Sequence, residues 1–510
     1  GKTEIYLDLA RRTLDDGRQV LFLIPEISLT PQFVQRVRDG LNYPVAVQHS
    51  GLSDRDRFRH WWRARSSEPV FVLGTRSAVF APCPNLGLII VDEEHDLSYK
   101  QADGFRYHAR NLAIKRAELT QATVVLGSAT PSLESYARAK DQNKQSHWHL
   151  HRLKQRYGSS TLPDVHLVDL NLHPSKDGLT EPLLANLRQT LNDGQQALVF
   201  VNRRGFAPVL HCVSCGWQSK CSRCDARMTL HQSRQQLRCH HCGRHIQSIE
   251  HCPDCNTRLL PIGAGTQRAV QGLQSAFPEA RIIRLDRDNI TSQDDLNLAM
   301  GDIRERRVDM IVGTQLISKG HDFPNVTLVA ALNADQGLFG VDFRSSEQLF
   351  QQLVQVAGRA GRREVRGRVL IQSHYPQNAL FEHIRQQDYT AFAASALEER
   401  QVLMFPPYSH MAIWRAESTD AEAARVFLLK VSELGQSLAD ENNFEACELF
   451  DVLPSPLERL AGRYRFQLPV KSRHRGNLHR WLQQWTRFVE GIKEGRRTRW
   501  SLDIDPMDMY

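Results

Sequence analysis

Eight of the chain's ten cysteines fall between Cys212 and Cys255 as four Cys-x-x-Cys pairs: Cys212 and Cys215, Cys221 and Cys224, Cys239 and Cys242, Cys252 and Cys255. A stretch of roughly 45 residues cannot bury a stable core by itself, so its fold has to be held by the sulfurs. Disulfides would need an oxidising compartment, whereas strict two-residue spacing suits tetrahedral thiolate ligation of zinc. The eight thiolates suffice for two Zn²⁺ ions with four ligands each. Four-cysteine sites leave no open coordination position, so the metal is expected to be structural and the module to serve as a wedge or docking surface. Apparent affinities of about 10–16 kcal/mol per structural site rival the stability of a whole domain. His211, His240, His241 and His251 adjoin the ligands but exceed the count two ions need, and they read as outer or exposed groups. Cys83 and Cys447 lie far off in sequence and read as ordinary thiols.

At 510 residues the chain is too long for one core and predicts roughly three or four domains. It has no apolar run of about 18 residues and no signal-peptide pattern, which predicts a cytoplasmic address. The formal charge of +8 suggests a polyanionic partner. Counting eight thiolates and two Zn²⁺ lowers it to about +4. Within 212–255, six Lys/Arg face three acids, so the metallated module is near neutral and is no obvious magnet for phosphate.

Around that module the chain reads as α/β. Short apolar runs (Gln19–Ile24, Val70–Leu73, Leu86–Val91, Thr123–Leu126) alternate with helical stretches and predict a parallel-sheet lobe over 1–175. A second series (Ala197–Val201, Arg281–Leu285, Asp309–Val312, Val326–Leu332, Arg368–Ile371) predicts a second lobe over 176–395, with the cysteine module inserted at 208–260. Beyond Pro406–Pro407 the pattern becomes strand, helix, strand, strand, helix, strand, a ferredoxin-like α+β domain over 396–510.

Gly1-Lys2-Thr3 matches the end of a phosphate-binding loop, where Lys2 reaches the β/γ-phosphates and Thr3 holds Mg²⁺ at a helix N-terminus. Leu86–Val91 delivers Asp92-Glu93-Glu94-His95 to the carboxyl end of a strand, where such sheets bind ligands. Asp92 is expected to hold Mg²⁺ through water, and Glu93 to orient or deprotonate the attacking water. Gly127-Ser128-Ala129-Thr130 follows the next strand as a link between hydrolysis and lobe movement. From the second lobe, Gly313-Thr314-Gln315, Lys319-Gly320-His321-Asp322 and Gln355–Arg362 complete the cleft, with Gly320 and Asp322 assigned to the ATP/Mg²⁺ set beside Gly1. Arg359 and Arg362 sit at i and i+3 on one helical side; Arg362 is the preferred arginine finger and Arg359 its partner.

Tyr99–His108 mixes rings and cations on a glycine-containing loop, a pattern suited to stacking bases without sequence preference. Its candidate contacts are Tyr99, Lys100, Phe105, Arg106 and Tyr107, with Arg76 and Lys319 holding backbone phosphate. Trp481 and Trp485 recur with Leu478, Leu482 and Val489 at helical spacing and read as core.

Gly1-Lys2-Thr3, Pro25–Thr30, Gly74–Ser77, Asp92–His95, Gly127–Ser132 and Gln355–Arg362 stand in the order of superfamily 2 helicases. With the eight-cysteine insertion, essentially the whole chain resembles the PriA family of bacterial primosomal replication-restart helicases. The resemblance implies two RecA-like lobes, 3′→5′ DNA unwinding driven by ATP with Mg²⁺, and remodelling of stalled forks so that the replicative helicase is reloaded. It also implies, as partners of a monomeric, nucleoid-associated protein, single-stranded and forked DNA, other primosome proteins, single-strand-binding protein and, indirectly, the replicative helicase and its loader. By the same resemblance the zinc sites are nested: Cys212, Cys215, Cys252 and Cys255 hold one ion, and Cys221, Cys224, Cys239 and Cys242 the other. The aromatic loop would report bound single strand to the ATPase. The family's upstream glycines and N-terminal DNA-binding domains fall before Gly1, so the 510 residues alone are expected to bind ATP poorly. Two other classes use the same residues: a fork-recognition scaffold whose partner loading needs no ATPase, and a related superfamily 2 translocase acting on RNA or in restriction.

Overall fold

Runs of consecutive apolar residues become strands here because both faces of the sheet are covered. In the first unit β1 (Gln19–Leu23), β2 (Val45–Gln48), β3 (Phe71–Gly74), β4 (Leu86–Asp92) and β5 (Thr123–Gly127) pair in the order β2-β3-β1-β4-β5, all parallel. Leu21, Leu23, Val72, Ile89 and Val91 pack into one core layer, and Val20, Phe22, Phe71, Leu88 and Ile90 into the other. Each such side chain contributes roughly 1.5–3 kcal/mol by leaving water. Gln19, fully buried at the strand entry, donates its amide to Ser66 O (2.7 Å) and accepts from Asn85 N (3.1 Å). β2 was not among the strands expected from sequence.

This computed structural model describes residues 2–25, 31–141, 147–153, 162–202, 209–212, 214–215, 217, 219–223, 228–231, 236–239, 244–262, 266–286, 289–290, 292–314, 317, 323–339, 342–361, 366–442, 444 and 447–509. They form two units: Gly1–Asp164 with Gln315–Thr327 and Gln351–Arg368, and Val165–Thr314 with Leu328–Phe350 and Val369–Tyr510.

A second sheet gathers β6 (Asp164–Asp169), β7 (Gln196–Val201), β13 (Ile282–Leu285), β14 (Met310–Gly313), β15 (Val326–Leu332) and β16 (Arg368–Ser373) in the order β13-β14-β7-β15-β16-β6. β6 lies within the 1–175 span assigned to the first lobe, yet it forms the edge of this second sheet, so that boundary falls too late. The run Asp-Val-His-Leu-Val-Asp buries only Val165 and Val168, so it lacks the continuous apolar stretch that marks a strand covered on both faces.

Between β7 and β13 the cysteine module contributes β8 (Val209–His211), β9 (Thr229–His231), β10 (Gln236–Arg238), β11 (His245–Gln247) and β12 (Leu260–Ile262). Its small core consists of Leu210, Met228, Leu230, Leu237 and Leu259 around four buried cysteines, Cys212, Cys221, Cys239 and Cys252.

The C-terminal domain orders its strands β18-β20-β17-β21, from β17 (His410–Ser418), β18 (Cys447–Leu449), β20 (Arg463–Ser472) and β21 (Arg499–Ile504); β19 (Leu453–Leu460) extends the β18 side along β20. The β17 pairings with β20 and β21 are antiparallel. This is the ferredoxin-like order expected from sequence. Trp481 and Trp485 are buried, with indole N–H groups donating to Gly435 O (3.0 Å) and Val431 O (2.8 Å). The glycine is required, because a Cβ at 435 would sit 2.2 Å from the Trp485 ring.

β19 and β20 meet at Ala461-Gly462, both at positive φ (52° and 83°), a two-residue turn of the hairpin type. Arg223, between the second cysteine pair, clamps this turn: its guanidinium donates to Ala461 O (2.9 Å) and its carbonyl accepts from Gly462 N (2.6 Å). Leu457 and Leu460 pack against the module's core from the same hairpin.

Candidate active site and metal centre

β4 is the strand that builds the first site. Six buried residues carry it through the sheet, and it surrenders Asp92 and Glu93 at its carboxyl end. The helix Lys2–Asp15 brings its first turn to the same place. Lys2 Nζ lies 2.6 Å from Glu93 Oε1 and 3.4 Å from Asp92 Oδ1, and the Tyr6 hydroxyl donates to Asp92 Oδ1 at 3.0 Å. Gly127, paired with Asp92 in the next strand, must be glycine, because a Cβ there would stand 1.6 Å from the Tyr6 oxygen.

Burial sets the electrostatics. It is the largest influence on Asp92 and raises its pKa despite the Lys2 ammonium. At Glu93 burial also raises the pKa, but Lys2, His95 and Arg359 outweigh it and hold the carboxyl below its ordinary value. Burial pulls Lys2 down, and Glu93 and Asp92 more than restore it, so its pKa is raised. Glu93 adopts φ 47°, a left-handed conformation costly to a residue with a long side chain, of order 1–3 kcal/mol. The strain turns its carboxylate back toward Lys2.

His95 completes this arrangement. Its Nδ1 lies 2.7 Å from Ser128 Oγ and its Nε2 lies 2.7 Å from Gln355 Nε2. Three motifs widely separated in sequence are thereby hydrogen-bonded in series within the first unit.

Glu94 has a different task from its neighbours. At 1% exposure it accepts from Arg110 Nη1 (2.9 Å), Ser132 N (2.6 Å) and Ser135 Oγ (3.0 Å), capping the helix Leu133–Lys140 through Ser132. Sequence reading gave Glu94 no role. Removing it leaves a buried, uncompensated guanidinium, so Glu94→Ala should cost about 3–5 kcal/mol. A lowered unfolding midpoint in thermal or urea melts checks this, and a melt matching the unsubstituted chain would discard it.

Of the other nucleotide candidates, Thr3 sits half-buried in the first helical turn, and Arg359 is partly buried in a turn two residues beyond the helix Ser345–Ala357. With Gly361 at φ 69° the helix does not run on past Arg359, which corrects the expected placement of the arginine pair on one helical side. Gly1, Gly320, Asp322 and Arg362 lie outside the described residues, as does Lys319.

The aromatic loop is closed by Gln101 N donating to Tyr107 O (2.8 Å) and by a Lys100–His108 bridge. Phe105 is 74% exposed at its tip; Tyr107 lies 5.8 Å from it and packs edge-on to Phe80 at 4.9 Å. Lys100 and Arg106 are partly exposed on the same loop. Tyr99 is a correction: it is fully buried, its hydroxyl 2.7 Å from Asp92 O and 3.0 Å from Leu23 O, so it offers no face to a base and instead ties the loop to the acidic motif. Arg76 donates to the carbonyls of Ser98 (3.1 Å) and Lys100 (2.9 Å), pinning the loop's entry. Phe80, 55% exposed, escaped sequence reading because a lone ring after Gly74–Ser77 has no pattern.

In the module, the sulfurs of Cys212, Cys215, Cys252 and Cys255 lie within 4.8 Å of one another, with Cys212–Cys255 at 3.3 Å and Cys215–Cys252 at 3.5 Å. Zn–S bonds of about 2.3 Å give a tetrahedral edge near 3.8 Å, so the donor set and spacing fit a structural zinc. Backbone turns present the pairs: Cys212 N donates to Trp217 O and Cys252 N to Thr257 O, both at 2.8 Å. Hydrogen bonding from Thr257 pulls the Cys255 thiol down to about 6, whereas at Cys215 the hydrogen bond at the Trp217 backbone is outweighed by burial and the neighbouring sulfurs, which push the thiol up to about 12. The four sulfurs therefore reach the thiolate form together only with the charge of an ion beside them. Cys221 and Cys239 are buried in the same core; Cys224 and Cys242 lie outside the described residues.

Comparison with known proteins follows these features along the chain. A DEAD/DEAH box helicase family model matches residues 1–139, a helicase conserved C-terminal domain model 264–364, the PriA DNA helicase Cys-rich region model 221–246, and the primosomal protein N C-terminal domain model 401–507. Replication restart protein PriA of Haemophilus influenzae is 41% identical over all of this chain and 68% of its own length. Its counterpart from Bacillus subtilis is 38% identical, over 100% of this chain and 63% of that protein, and the Synechocystis one is 37% identical over 92% and 57%. The chain thus spans between 57% and 68% of these relatives' lengths. Among solved structures, RecG bound to a three-way DNA junction overlays 78% of this chain and 42% of its own at a TM-score of 0.46 and 16% identity, too loose a fit to bear on function.

Proposed function

The chain belongs to the PriA family of replication restart proteins, and from that premise we propose that it couples ATP hydrolysis to 3′→5′ translocation on DNA and unwinds forked substrates so that a replicative helicase is reloaded. The observation that carries this reading is the facing of Lys2 with Asp92 and Glu93 where a buried strand meets a helix N-terminus. A triphosphate arriving there would draw the Lys2 ammonium onto its β/γ-phosphates. Thr3 and Asp92 would hold the Mg²⁺ that accompanies it, and Glu93 would orient the attacking water. His95, bonded to both Ser128 and Gln355, would carry the change in phosphate state to the remaining motifs, with Arg359 and Arg362 stabilising the charge that develops. Phe105 and Tyr107 would stack on the single strand. Gly1, Gly320 and Asp322 would join the ATP/Mg²⁺ set, and Lys319 with Lys100 and Arg106 the DNA set.

The module would hold two Zn²⁺, one on Cys212, Cys215, Cys252 and Cys255 and one on Cys221, Cys224, Cys239 and Cys242, in a structural role. Primosome proteins, single-strand-binding protein and the replicative helicase loader are the proposed partners, in the cytoplasm with the nucleoid. Among the described residues no helix is long and apolar enough to cross a membrane.

The test uses the complete protein with tailed substrates. ATP turnover should rise with forked and single-stranded DNA and much less with RNA of equal length, and unwinding should need a 3′ tail on the tracked strand. Equal stimulation by RNA would overturn the substrate, and a 5′-tail requirement the polarity. Partner loading that proceeds without ATP would move the function to that of a scaffold.

A further inference from the structure

The helix Asp54–Arg65 wears its pattern inside out. Phe58, Trp61, Trp62 and Arg65 recur at i, i+3, i+4 and i+7, the spacing that ordinarily turns an apolar stripe toward a core. Here the stripe faces water: Phe58 is 63% exposed and Trp62 60%. The one buried residue of the helix is Ala64, and polar His60 and Asp56, four and eight positions before it, share its half-buried side.

These rings are organised. Phe58 stacks on Trp61 (6.5 Å, 20°) and on Trp62 (6.1 Å, 29°), and the Arg65 guanidinium lies over both indoles at 5.5 and 5.8 Å. Five arginines and two aspartates occupy the helix. Arg57 and Arg59 reach Asp54 and Asp56 only through exposed contacts of 3.5 and 3.1 Å, which are worth little and yield to a stronger anion. A contiguous aromatic patch held in water marks an interaction surface. Rings and arginines also serve protein interfaces, but five arginines against two aspartates leave this helix strongly cationic, which favours a polyanion as its partner. What it offers is flat rings with guanidiniums around them, the chemistry that takes bases on their faces and phosphates at their edges.

We propose that Phe58, Trp61 and Trp62, with Arg65 and the arginines beside them, form a single-stranded DNA stacking platform distinct from the Lys100–His108 loop. The platform rests on the DNA-directed reading above and gives it a second point of contact.

The test is equilibrium binding of a fluorescently labelled oligo-dT to the full protein without nucleotide, read by anisotropy. Trp62→Ala should weaken binding about tenfold and Phe58→Ala with Trp62→Ala about a hundredfold, as losing one and two stacked bases would. Trp62→Phe should restore most of the loss. All these positions are exposed, so the melting temperature should not move. An oligo-dT carrying 5-iododeoxyuridine should photocross-link within 54–65. If the unsubstituted protein binds and Trp62→Ala binds equally well, the platform is wrong and the face belongs to a protein partner. If the unsubstituted protein does not bind oligo-dT at all, the DNA reading of the whole chain falls and the platform with it.

Discussion

Glu93→Gln should lower DNA-stimulated ATP turnover by about 10²–10⁴-fold, the range lost with a positioned acid–base group, while nucleotide binding stays within a few-fold of the unsubstituted protein. The carboxylate is nearly isosteric with the amide, so the backbone strain at φ 47° and the amide oxygen's approach to Lys2 are kept, while the negative charge and with it the capacity to take a proton are removed. Glu93 is ionised although burial is its largest influence, because Lys2, His95 and Arg359 hold its pKa down. Once phosphates draw Lys2 away, burial would push that pKa up, toward the range in which a carboxylate accepts a proton readily. Lys2→Ala should behave differently. It removes the phosphate contact itself, so nucleotide affinity and turnover should fall together, and Glu93 would lose its principal counter-charge at the same time. Steady-state turnover alongside titration of a fluorescent ATP analogue separates the two. Turnover by Glu93→Gln within a few-fold of normal would remove the role given to Glu93; unwinding that survives Lys2→Ala would remove the motor.

What could be read from sequence was whatever repeats along the chain. Leu86–Val91 was visible as a strand because a both-faces-buried strand is a continuous apolar run, and the acids after it could be placed at the strand's carboxyl end for the same reason. The helix around Trp481 and Trp485 was visible through its spacing. What stayed hidden depends on which way a side chain points once the chain has folded. Glu93 and Glu94 are adjacent and chemically alike, yet the backbone turn at Glu93 sends one toward Lys2 and the other into a buried network with Arg110 and Ser132. Tyr99 looked like a member of the aromatic loop, but its hydroxyl is spent on the carbonyls of Leu23 and Asp92. The stripe at Phe58, Trp61 and Trp62 carries the spacing of a core-facing helix, and only the folded structure shows it turned outward.

Replacing Cys212 and Cys252 together by Ser should unfold the cysteine module while both lobes stay folded. The pair supplies half the ligands of one site, and serine is a poor substitute because zinc prefers the softer, more readily ionised thiolate. Against an apparent site free energy of about 10–16 kcal/mol, the module's own core is a handful of leucines and a methionine, and two of the four cysteines buried in it are the ones replaced. Loss should spread along the Arg223 contact, since the clamp on Ala461 and Gly462 needs the second cysteine pair held in place, and Leu457 and Leu460 would be uncovered. Metal analysis should show zinc lost from this site, limited proteolysis should open new cuts within 209–262 and near the 461–462 turn, and ATP turnover without DNA should persist, because Lys2, Asp92 and Glu93 are held by the other unit. Full zinc content with unchanged protease resistance would show that these two sulfurs hold no metal, and loss of basal ATP turnover would show that the module supports more of the chain than its contacts indicate.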